Sequence, residues 1–84
     1  MITIQSVSAS NCYACLGARK VLEETKVRFP NISTEEIDIS SPRGIELVKK
    51  YNIFASPGVI INGELFSSGN FDKRKFMEKI EELL

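Results

Sequence analysis

A hairpin turn late in the chain is the sequence feature that most limits its fold. Asn62 and Gly63 stand between the apolar run 58–61 and the segment 64–66. An Asn-Gly pair in this position specifies a two-residue turn, because both residues tolerate the positive φ angles that such a turn requires. The chain must therefore contain a pair of antiparallel strands joined at these two residues.

The segments before the hairpin alternate between strand and helix patterns. β-Branched residues predict a strand over 2–8, and apolar residues spaced by three and four predict a helix from about residue 13. That helix should end by about residue 28, because the residue before Pro30 disfavours helical geometry. A second strand is predicted over 32–39, and Ser41-Pro42 is typical of the start of a second helix.

The last segment is predicted to be a third helix. Asp72 suits the N-cap, and Phe71 and Phe76 have the spacing of a hydrophobic staple around it. The three helices should bury one face each, formed by Cys15, Ala18, Leu22, Thr25 and Phe29, with Val21 alongside, in the first, by Ile45, Val48 and Tyr51 in the second, and by Phe76, Ile80, Leu83 and Leu84, with Met77 nearby, in the third.

The predicted order is strand, helix, strand, helix, hairpin, helix. A strand–helix–strand unit is normally a right-handed crossover between parallel strands, and the hairpin must add two antiparallel strands. This predicts an α/β fold, with a four-stranded mixed sheet and three helices on its faces. No repeat or composition break divides the chain, so we expect residues 1–84 to form one domain.

Composition excludes several function classes. Eleven Lys and Arg residues balance eleven Asp and Glu residues, which argues against a basic surface for nucleic acid. No run approaches the roughly 20 apolar residues of a membrane span, and no secretory signal is visible, so we expect a cytoplasmic protein. The chain has no histidine, which excludes Cys-His and Ser-His-Asp catalysis and imidazole metal ligands.

The two cysteines, Cys12 and Cys15, are the candidates for chemistry. The predicted elements place Cys12 between the first strand and the first helix, where free backbone N–H groups and the helix dipole favour a thiolate. A thiolate is the nucleophile of thiol–disulfide exchange, and an acidic thiol is also a good leaving group when a second sulfur attacks. The C-x-x-C spacing brings Cys15 within range for that second step.

Two other uses of the cysteine pair are open. A purely structural disulfide would close so small a loop that it would stabilise the fold by only about 2 kcal/mol, and cytosolic thiols are normally reduced. A thiolate pair can also carry a soft metal ion such as copper, although small copper-chaperone folds end in a strand and this chain is predicted to end in a helix. Four-coordinate zinc would need two further ligands.

Ser56-Pro57 precedes the hairpin strand that must pair with the first strand, so it should lie near the cysteines. A proline that opens a strand is tolerated and needs no functional explanation. The functional alternative is a cis Ser56–Pro57 bond, which would turn the backbone of Ser56 outward to pair with an extended substrate segment. Because cis bonds are a small minority of X-Pro bonds, the residues alone leave both possibilities open.

The motifs occur in the order and spacing of a known family over essentially the whole chain. They are Cys12-Tyr13-Ala14-Cys15, Glu36-Ile37-Asp38-Ile39, Tyr51-Asn52-Ile53, Ser56-Pro57-Gly58-Val59, Asn62-Gly63-Glu64 and Gly69. The chain thereby resembles the thioredoxin superfamily, and most closely its small redox-active disulfide proteins. The resemblance implies a thioredoxin-like fold with the glutaredoxin-type βαβαββα topology.

The resemblance also implies a function. It suggests a thiol–disulfide oxidoreductase that reduces protein disulfides through a redox-active Cys12–Cys15 disulfide, without another cofactor or a metal. Cys12 would attack the substrate and Cys15 would resolve the mixed disulfide, with Pro57 as a cis-proline against the disulfide. The implied substrate-binding positions are Tyr13, Ser56, Pro57 and Gly69.

The implied partners are disulfide-containing proteins and a thioredoxin-reductase-like or other dithiol electron donor, and we expect a monomer without nucleic-acid or membrane partners. Glutathione is not an expected partner, because 55–56 and 68–70 match the glutaredoxin pattern only in part. Ser6 stands where thioredoxin has a buried aspartate, so the general base is unassigned, and Asn11 replaces a tryptophan. The Tyr13-Ala14 dipeptide leaves the redox potential open.

Two further hypotheses concern partner binding. The run Lys73-Arg74-Lys75 at the start of the third helix is either a solvated charged surface or a contact for an acidic partner or a glutathione carboxylate. A non-enzymatic adaptor with this fold would keep its partner binding after loss of both sulfurs.

Overall fold

The computed structural model describes residues 2–10, 12–69 and 72–84. Its elements follow the predicted order. They are β1 (Ile2–Ser8), α1 (Tyr13–Arg28), β2 (Ile32–Asp38), α2 (Pro42–Tyr51), β3 (Gly58–Ile61), β4 (Glu64–Ser68) and α3 (Lys73–Leu83).

The four strands form one mixed sheet in the order β2-β1-β3-β4. β1 runs parallel to β2 and antiparallel to β3, and β3 runs antiparallel to β4. The predicted four-stranded mixed sheet is confirmed. In its register Val7 lies opposite Gly58, so the last residues of β1 and the first residues of β3 lie at the same end of the sheet.

The hairpin turn between β3 and β4 has the geometry that its sequence predicts. Asn62 and Gly63 both have positive φ angles, of 50° and 79°. The turn is also tied to β1, because the backbone N–H of Thr3 donates to Oδ1 of Asn62 at 2.9 Å and the N–H of Asn62 donates to the Thr3 carbonyl at 2.8 Å. The asparagine therefore fixes both the turn and its place beside the first strand.

Apolar side chains on opposite faces of the sheet form two clusters. One joins alternate residues of β1 and β3 to Leu22 of α1 and to Phe76 and Ile80 of α3. The other joins Val7, Ile37 and Ile60 to side chains of α2. Helices α1 and α3 thus cover one face, and α2 covers the other.

Three details of the predicted elements are wrong. β2 ends at Asp38 rather than Ile39, because the chain turns there and the Asp38 carbonyl accepts from both the N–H and the hydroxyl of Ser41. Leu83 and Leu84, which were predicted to be buried, are exposed. Leu84 is 65% exposed because it lies past the end of α3, beyond the cluster that buries Phe76 and Ile80. The third error is the assignment of Ile45 to the buried face of α2. The predicted staple partner Phe71 lies outside the described residues.

Of the predicted face of helix α2, Val48 and Tyr51 pack toward the sheet, but Ile45 does not. Ile45 is 47% exposed, whereas Gly44 is buried. A Cβ atom at Gly44 would overlap the Asp38 carbonyl, so this glycine allows the helix backbone to approach the end of β2 closely. The approach turns residues 44, 48 and 51 toward the sheet and leaves Ile45 on the outside.

None of the helices within residues 2–10, 12–69 and 72–84 combines the length and the apolar character needed to cross a membrane.

Candidate active site

Cys12 and Cys15 form a disulfide across the first turn of α1, with their Cα atoms 5.1 Å apart. Cys12 is also the N-cap residue of the helix, with extended backbone angles. The backbone N–H of Cys15 points at the Cys12 sulfur, 3.1 Å away. A sulfur thus occupies the position that a serine or aspartate oxygen takes at most helix starts.

The two sulfurs differ in their access to solvent. Cys15 is only 4% exposed and lies on the buried face of α1 with Ala18 and Leu22. Cys12 is half-buried, and the next residue, Tyr13, is 92% exposed. Of the two cysteines, Cys12 is therefore the one that an incoming molecule can reach.

The loop that leads into β3 forms the other side of the site. The Ser56 hydroxyl donates to the Cys12 sulfur at 3.4 Å, and the Ser56 carbonyl oxygen lies 3.7 Å from the same atom. Since a disulfide sulfur carries no hydrogen, the carbonyl approach is a contact rather than a hydrogen bond. The Ser56–Pro57 peptide bond is cis, and Pro57 is fully buried.

The register of the sheet explains why these two segments meet. β1 leads to Cys12, β3 follows Pro57, and the two strands are adjacent and antiparallel. The chain therefore leaves β1 and enters β3 at the same end of the sheet. The structure brings together five of the six predicted site residues through these two segments: Cys12, Tyr13, Cys15, Ser56 and Pro57.

The sixth predicted residue, Gly69, lies at the end of β4 and touches the same loop. Its backbone N–H donates to the Pro57 carbonyl at 3.0 Å. Its φ angle is +90°, and a Cβ atom there would lie 2.9 Å from the Ala55 Cβ atom. Both features favour glycine, so the sequence signal at this position reflects how closely β4 approaches the loop.

Ser68 is a residue of this site that the sequence analysis did not single out. Its hydroxyl oxygen accepts from the N–H groups of Phe54 at 3.0 Å and Ala55 at 3.2 Å, and the hydroxyl donates to the Ala55 carbonyl at 3.2 Å. The only signal for it in the sequence is its place directly before Gly69. A serine at the end of a strand is too common to be recognised by that alone.

The segments that build the site carry no charged residue. Residues 2–18, 51–63 and 65–71 contain no Asp, Glu, Lys or Arg. Two exposed aromatic side chains lie on these uncharged segments: Tyr13, next to Cys12 in the chain, and Phe54, which is 86% exposed, two residues before Ser56. The segments that carry the disulfide and the loop before Pro57 are therefore free of charged side chains.

A polar crevice of about 340 Å³ opens at the ends of β1 and β2. Glu36 is its central group, since it forms an ion pair with Arg19 and accepts from the Ser8 hydroxyl at 3.3 Å. Hydrogen bonds from the Ser40 hydroxyl and backbone N–H hold the pKa of Asp38, also in the crevice, below its usual value. Ser6, which stands where thioredoxin has a buried aspartate, is buried and lies opposite Glu36 in the sheet. Because a serine hydroxyl does not titrate, this position holds no titratable group.

Within the part of the chain that the structure describes, no three Cys, Asp or Glu side chains are grouped so that they could hold a metal ion. Both cysteine sulfurs are used in the disulfide. The site has the features of a reversible disulfide: a reachable sulfur, a buried partner one turn away, and hydrogen-bond donors directed at the reachable one.

Comparisons with known proteins agree with this geometry. A family model described as thioredoxin domain matches residues 2–82. Oxidised thioredoxin O2 from Arabidopsis thaliana is similar at 20% identity and a TM-score of 0.79, over 99% of this chain and 75% of that one.

Thioredoxin O1 from Arabidopsis thaliana matches at 21% identity and a TM-score of 0.78, over 98% of this chain and 77% of that one. A thioredoxin from Fasciola hepatica matches at 18% identity and a TM-score of 0.77, over 96% and 79%. At these identities the structures show a shared fold. No curated protein matches the chain.

Proposed function

We propose that this chain, which belongs to the thioredoxin domain family, is a thiol–disulfide oxidoreductase that reduces protein disulfides through Cys12 and Cys15. The observation that carries the proposal is the unequal pair of sulfurs. Cys12 is reachable and accepts hydrogen bonds from the Cys15 N–H and the Ser56 hydroxyl, whereas Cys15 is buried beneath it.

The first step is attack on the substrate. In the reduced protein the Cys12 thiolate attacks one sulfur of a substrate disulfide, so that a Cys12–substrate disulfide forms and the substrate S–S bond breaks. The second substrate sulfur leaves as a thiolate and takes a proton from water. The two hydrogen-bond donors and the N-terminus of α1 favour the thiolate form of Cys12, which is the nucleophilic form.

The second step is resolution by Cys15. Cys15 loses its thiol proton to water, its thiolate attacks the Cys12 sulfur, and the Cys12–Cys15 disulfide forms as the Cys12–substrate bond breaks. The remaining substrate sulfur leaves as a thiolate and takes a proton from water. Two electrons pass in total from the protein dithiol to the substrate. The product state of the protein is the disulfide observed in the structure.

The next turnover requires a dithiol donor that reduces Cys12–Cys15, and we propose a reductase of the thioredoxin-reductase type or another dithiol protein. A role as reductant fits a reducing compartment, and we propose the cytoplasm. We also propose that the protein acts as a monomer, with the disulfide edge free for substrates.

The lack of charged residues in the segments that carry the disulfide and the loop before Pro57 favours proteins over glutathione as substrates. Glutathione carries carboxylates that need cationic partners, and Arg19, one turn after Cys15, is already paired with Glu36. In the basic run at the start of α3, Lys73 is bound to Glu24 and Arg74 to Glu78. The exposed side chains of Tyr13 and Phe54 offer apolar contact to a polypeptide substrate.

The decisive experiment traps the mixed disulfide. Reduced Cys15→Ser protein should form a stable covalent adduct with a disulfide-containing protein such as insulin, visible as a mass increase that a strong thiol reductant removes. Cys12→Ser serves as the matched control, since it keeps one thiol but should form no adduct under the same conditions. Equal trapping by both variants would contradict the assigned roles.

The same proteins distinguish the alternatives. A soft-metal carrier predicts stoichiometric binding of a monovalent copper ion that protects both thiols from alkylation, without turnover of disulfides. An adaptor predicts partner binding that survives Cys12→Ser combined with Cys15→Ser. Catalytic reduction of insulin by the wild-type protein, lost in the double variant, supports the oxidoreductase.

A further inference from the structure

We infer that Ser68 is a positioning residue of the active site, which acts on Cys12 through the loop 54–56. Ser68 belongs to β4 and makes its hydrogen bonds to the backbone of the loop rather than to a sulfur. The inference rests on the proposed function, because it assigns Ser68 the role of positioning the loop that contacts the reacting sulfur.

The Ser68 hydroxyl is fully used by the loop. A hydroxyl can donate once and accept twice, and Ser68 accepts from the N–H groups of Phe54 and Ala55 and donates to the Ala55 carbonyl. Three backbone groups of two consecutive residues therefore depend on one oxygen. The loop lies outside the sheet ladder, so these bonds replace the strand pairing that would otherwise hold it.

The next residue in the loop is the one that touches the reacting sulfur. Ser56 directs its hydroxyl at the Cys12 sulfur from 3.4 Å, and its carbonyl oxygen lies at 3.7 Å. On the far side, the Pro57 carbonyl accepts a hydrogen bond from the N–H of Gly69, which directly follows β4. Ser56 therefore lies between two attachments to the end of β4, and Ser68 supplies the attachment on its N-terminal side.

Loosening this attachment should weaken the hydrogen bond to sulfur. A hydrogen bond to a thiolate is charge-assisted, and its strength depends on distance and direction. Without the Ser68 hydroxyl, the Phe54 and Ala55 backbone groups would turn to water and Ser56 would lose its fixed position. The thiolate of Cys12 would then be less favoured in the reduced protein.

The neighbouring Ser67 provides a matched control. It lies on the same strand, and its hydroxyl oxygen is buried without a hydrogen-bond partner among the described residues. Removing this hydroxyl should not cost hydrogen bonds. Ser67→Ala and Ser68→Ala are thus the same chemical change, one residue apart, with opposite expectations for the active site.

The test measures the thiol pKa of Cys12 in the reduced protein, from the pH dependence of alkylation by iodoacetamide. Ser68→Ala should raise this pKa by about half a unit, which is roughly a threefold loss of thiolate near neutral pH. Ser67→Ala should leave it unchanged, and Ser68→Thr, which keeps the hydroxyl, should restore it. The rate constant kcat/KM for insulin reduction should fall in parallel with the thiolate fraction.

A double-mutant cycle separates positioning from general stability. Ser56→Ala removes the hydroxyl that contacts sulfur and should raise the Cys12 pKa at least as much as Ser68→Ala does. Because both variants act through the same hydrogen bond, combining them should add nothing to the effect of Ser56→Ala alone. A loss of thermal stability in Ser68→Ala with an unchanged Cys12 pKa would overturn the inference.

Two results remain interpretable even if one variant is unusable. If Ser68→Ala does not fold, an unchanged Cys12 pKa in Ser56→Ala overturns the inference, because the loop would then have no influence on the sulfur. If the wild-type protein shows no turnover, the proposed function fails. The pKa comparison of Ser67→Ala with Ser68→Ala would still decide whether Ser68 positions Cys12.

Discussion

Helices α1 and α3 begin with different acceptors for their free backbone N–H groups. At α1 the sulfur of Cys12 faces one of them, the N–H of Cys15, at 3.1 Å. At α3 the carboxylate of Asp72 accepts two, from Arg74 at 2.9 Å and Lys75 at 3.2 Å. The same structural need is met once by a weak acceptor and once by a strong, charged one.

The two caps show that helix stability and chemical reactivity make different demands on the capping atom. The hydrogen bonds of Asp72 in the described structure are to the first turn of α3, from the N–H groups of Arg74, Lys75 and Phe76, so Asp72 serves the start of this helix. Cys12 must also form and break bonds under the proposed function, so α1 begins with an atom that caps less well. Substitutions at the two caps should therefore change different properties.

The largest effect is expected at the cap of α1. Cys12→Ser should abolish insulin reduction, because a serine hydroxyl is not nucleophilic at neutral pH. Under reducing conditions the free energy of unfolding should stay the same or rise slightly, since a hydroxyl oxygen is a favoured N-cap acceptor. Turnover assays and urea denaturation of reduced wild-type and variant proteins measure the two properties.

Reduced wild-type protein is the proper reference for that stability, because the oxidised form contains an additional cross-link. A large loss of stability in Cys12→Ser would show that the thiol supports the helix start better than its hydrogen bonding suggests. Remaining turnover would contradict the role proposed for Cys12.

A smaller and opposite effect is expected at the cap of α3. Asp72→Ala should lower the free energy of unfolding by about 1 kcal/mol, because two N–H groups lose their acceptor. Insulin reduction should keep its wild-type kcat/KM. Asp72→Asn is the matched control and should retain most of the stability, as asparagine caps helices nearly as well. A loss of turnover in Asp72→Ala without a loss of stability would show that the start of α3 contributes to the active site.

The smallest effect concerns the ion pair that links α1 to the start of α3. Lys73 donates a hydrogen bond to Glu24 at 2.8 Å, and this contact holds the pKa of Glu24 below its usual value. A lowered pKa in the folded state means that the carboxylate stabilises the fold above its unfolded pKa. The contribution is lost as the pH falls through the folded-state pKa.

Glu24→Gln should therefore be slightly less stable than the wild-type protein at neutral pH, by less than Asp72→Ala, and equally stable in acid once Glu24 is protonated. Paired urea titrations at neutral and acidic pH measure this convergence. Glu23→Gln, one residue earlier on α1, is the matched control, because it makes the same chemical change without touching the hydrogen bond between Lys73 and Glu24. A difference that persists in acid would show that the side chain acts through packing.

The same ion pairs bear on the basic run Lys73-Arg74-Lys75. Lys73 is bound to Glu24 of α1, and Arg74 lies 3.5 Å from Glu78 of its own helix. Two of the three cations thus have acidic neighbours within the chain. This supports the interpretation of the run as a solvated charged surface over that of a docking site for an acidic partner.

Features encoded locally could be predicted from the sequence. The Asn62-Gly63 turn and the caps at Ser41 and Asp72 all occur where their residue types indicate, because each depends on a few neighbouring atoms. The parallel pairing of β1 with β2 followed from the usual strand–helix–strand crossover, and the antiparallel pairing of β3 with β4 from the hairpin. Since strand pairing then sets which segments meet, the approach of Ser56-Pro57 to the cysteines was also within reach.

Features that depend on tertiary distance could not be predicted. The buried face of α2 is set by how closely Gly44 approaches the Asp38 carbonyl, a contact that the helical spacing of Ile45 does not reveal. The role of Ser68 depends on hydrogen bonds to a loop 13 and 14 residues earlier. Nothing in the local sequence distinguishes it from Ser67, whose hydroxyl has no partner in the described residues.

Both sides of the active site are attached to the two inner strands of the sheet. β1 leads to Cys12 and β3 follows Pro57, with β2 and β4 outside them. Amides of inner strands exchange with solvent through rare, large openings, whereas those of edge strands exchange through local fraying. The pairing of β1 with β3 should therefore persist through fast local fraying, whereas the loop that carries Ser56 also depends on Ser68 of the edge strand β4 and should loosen when β4 frays.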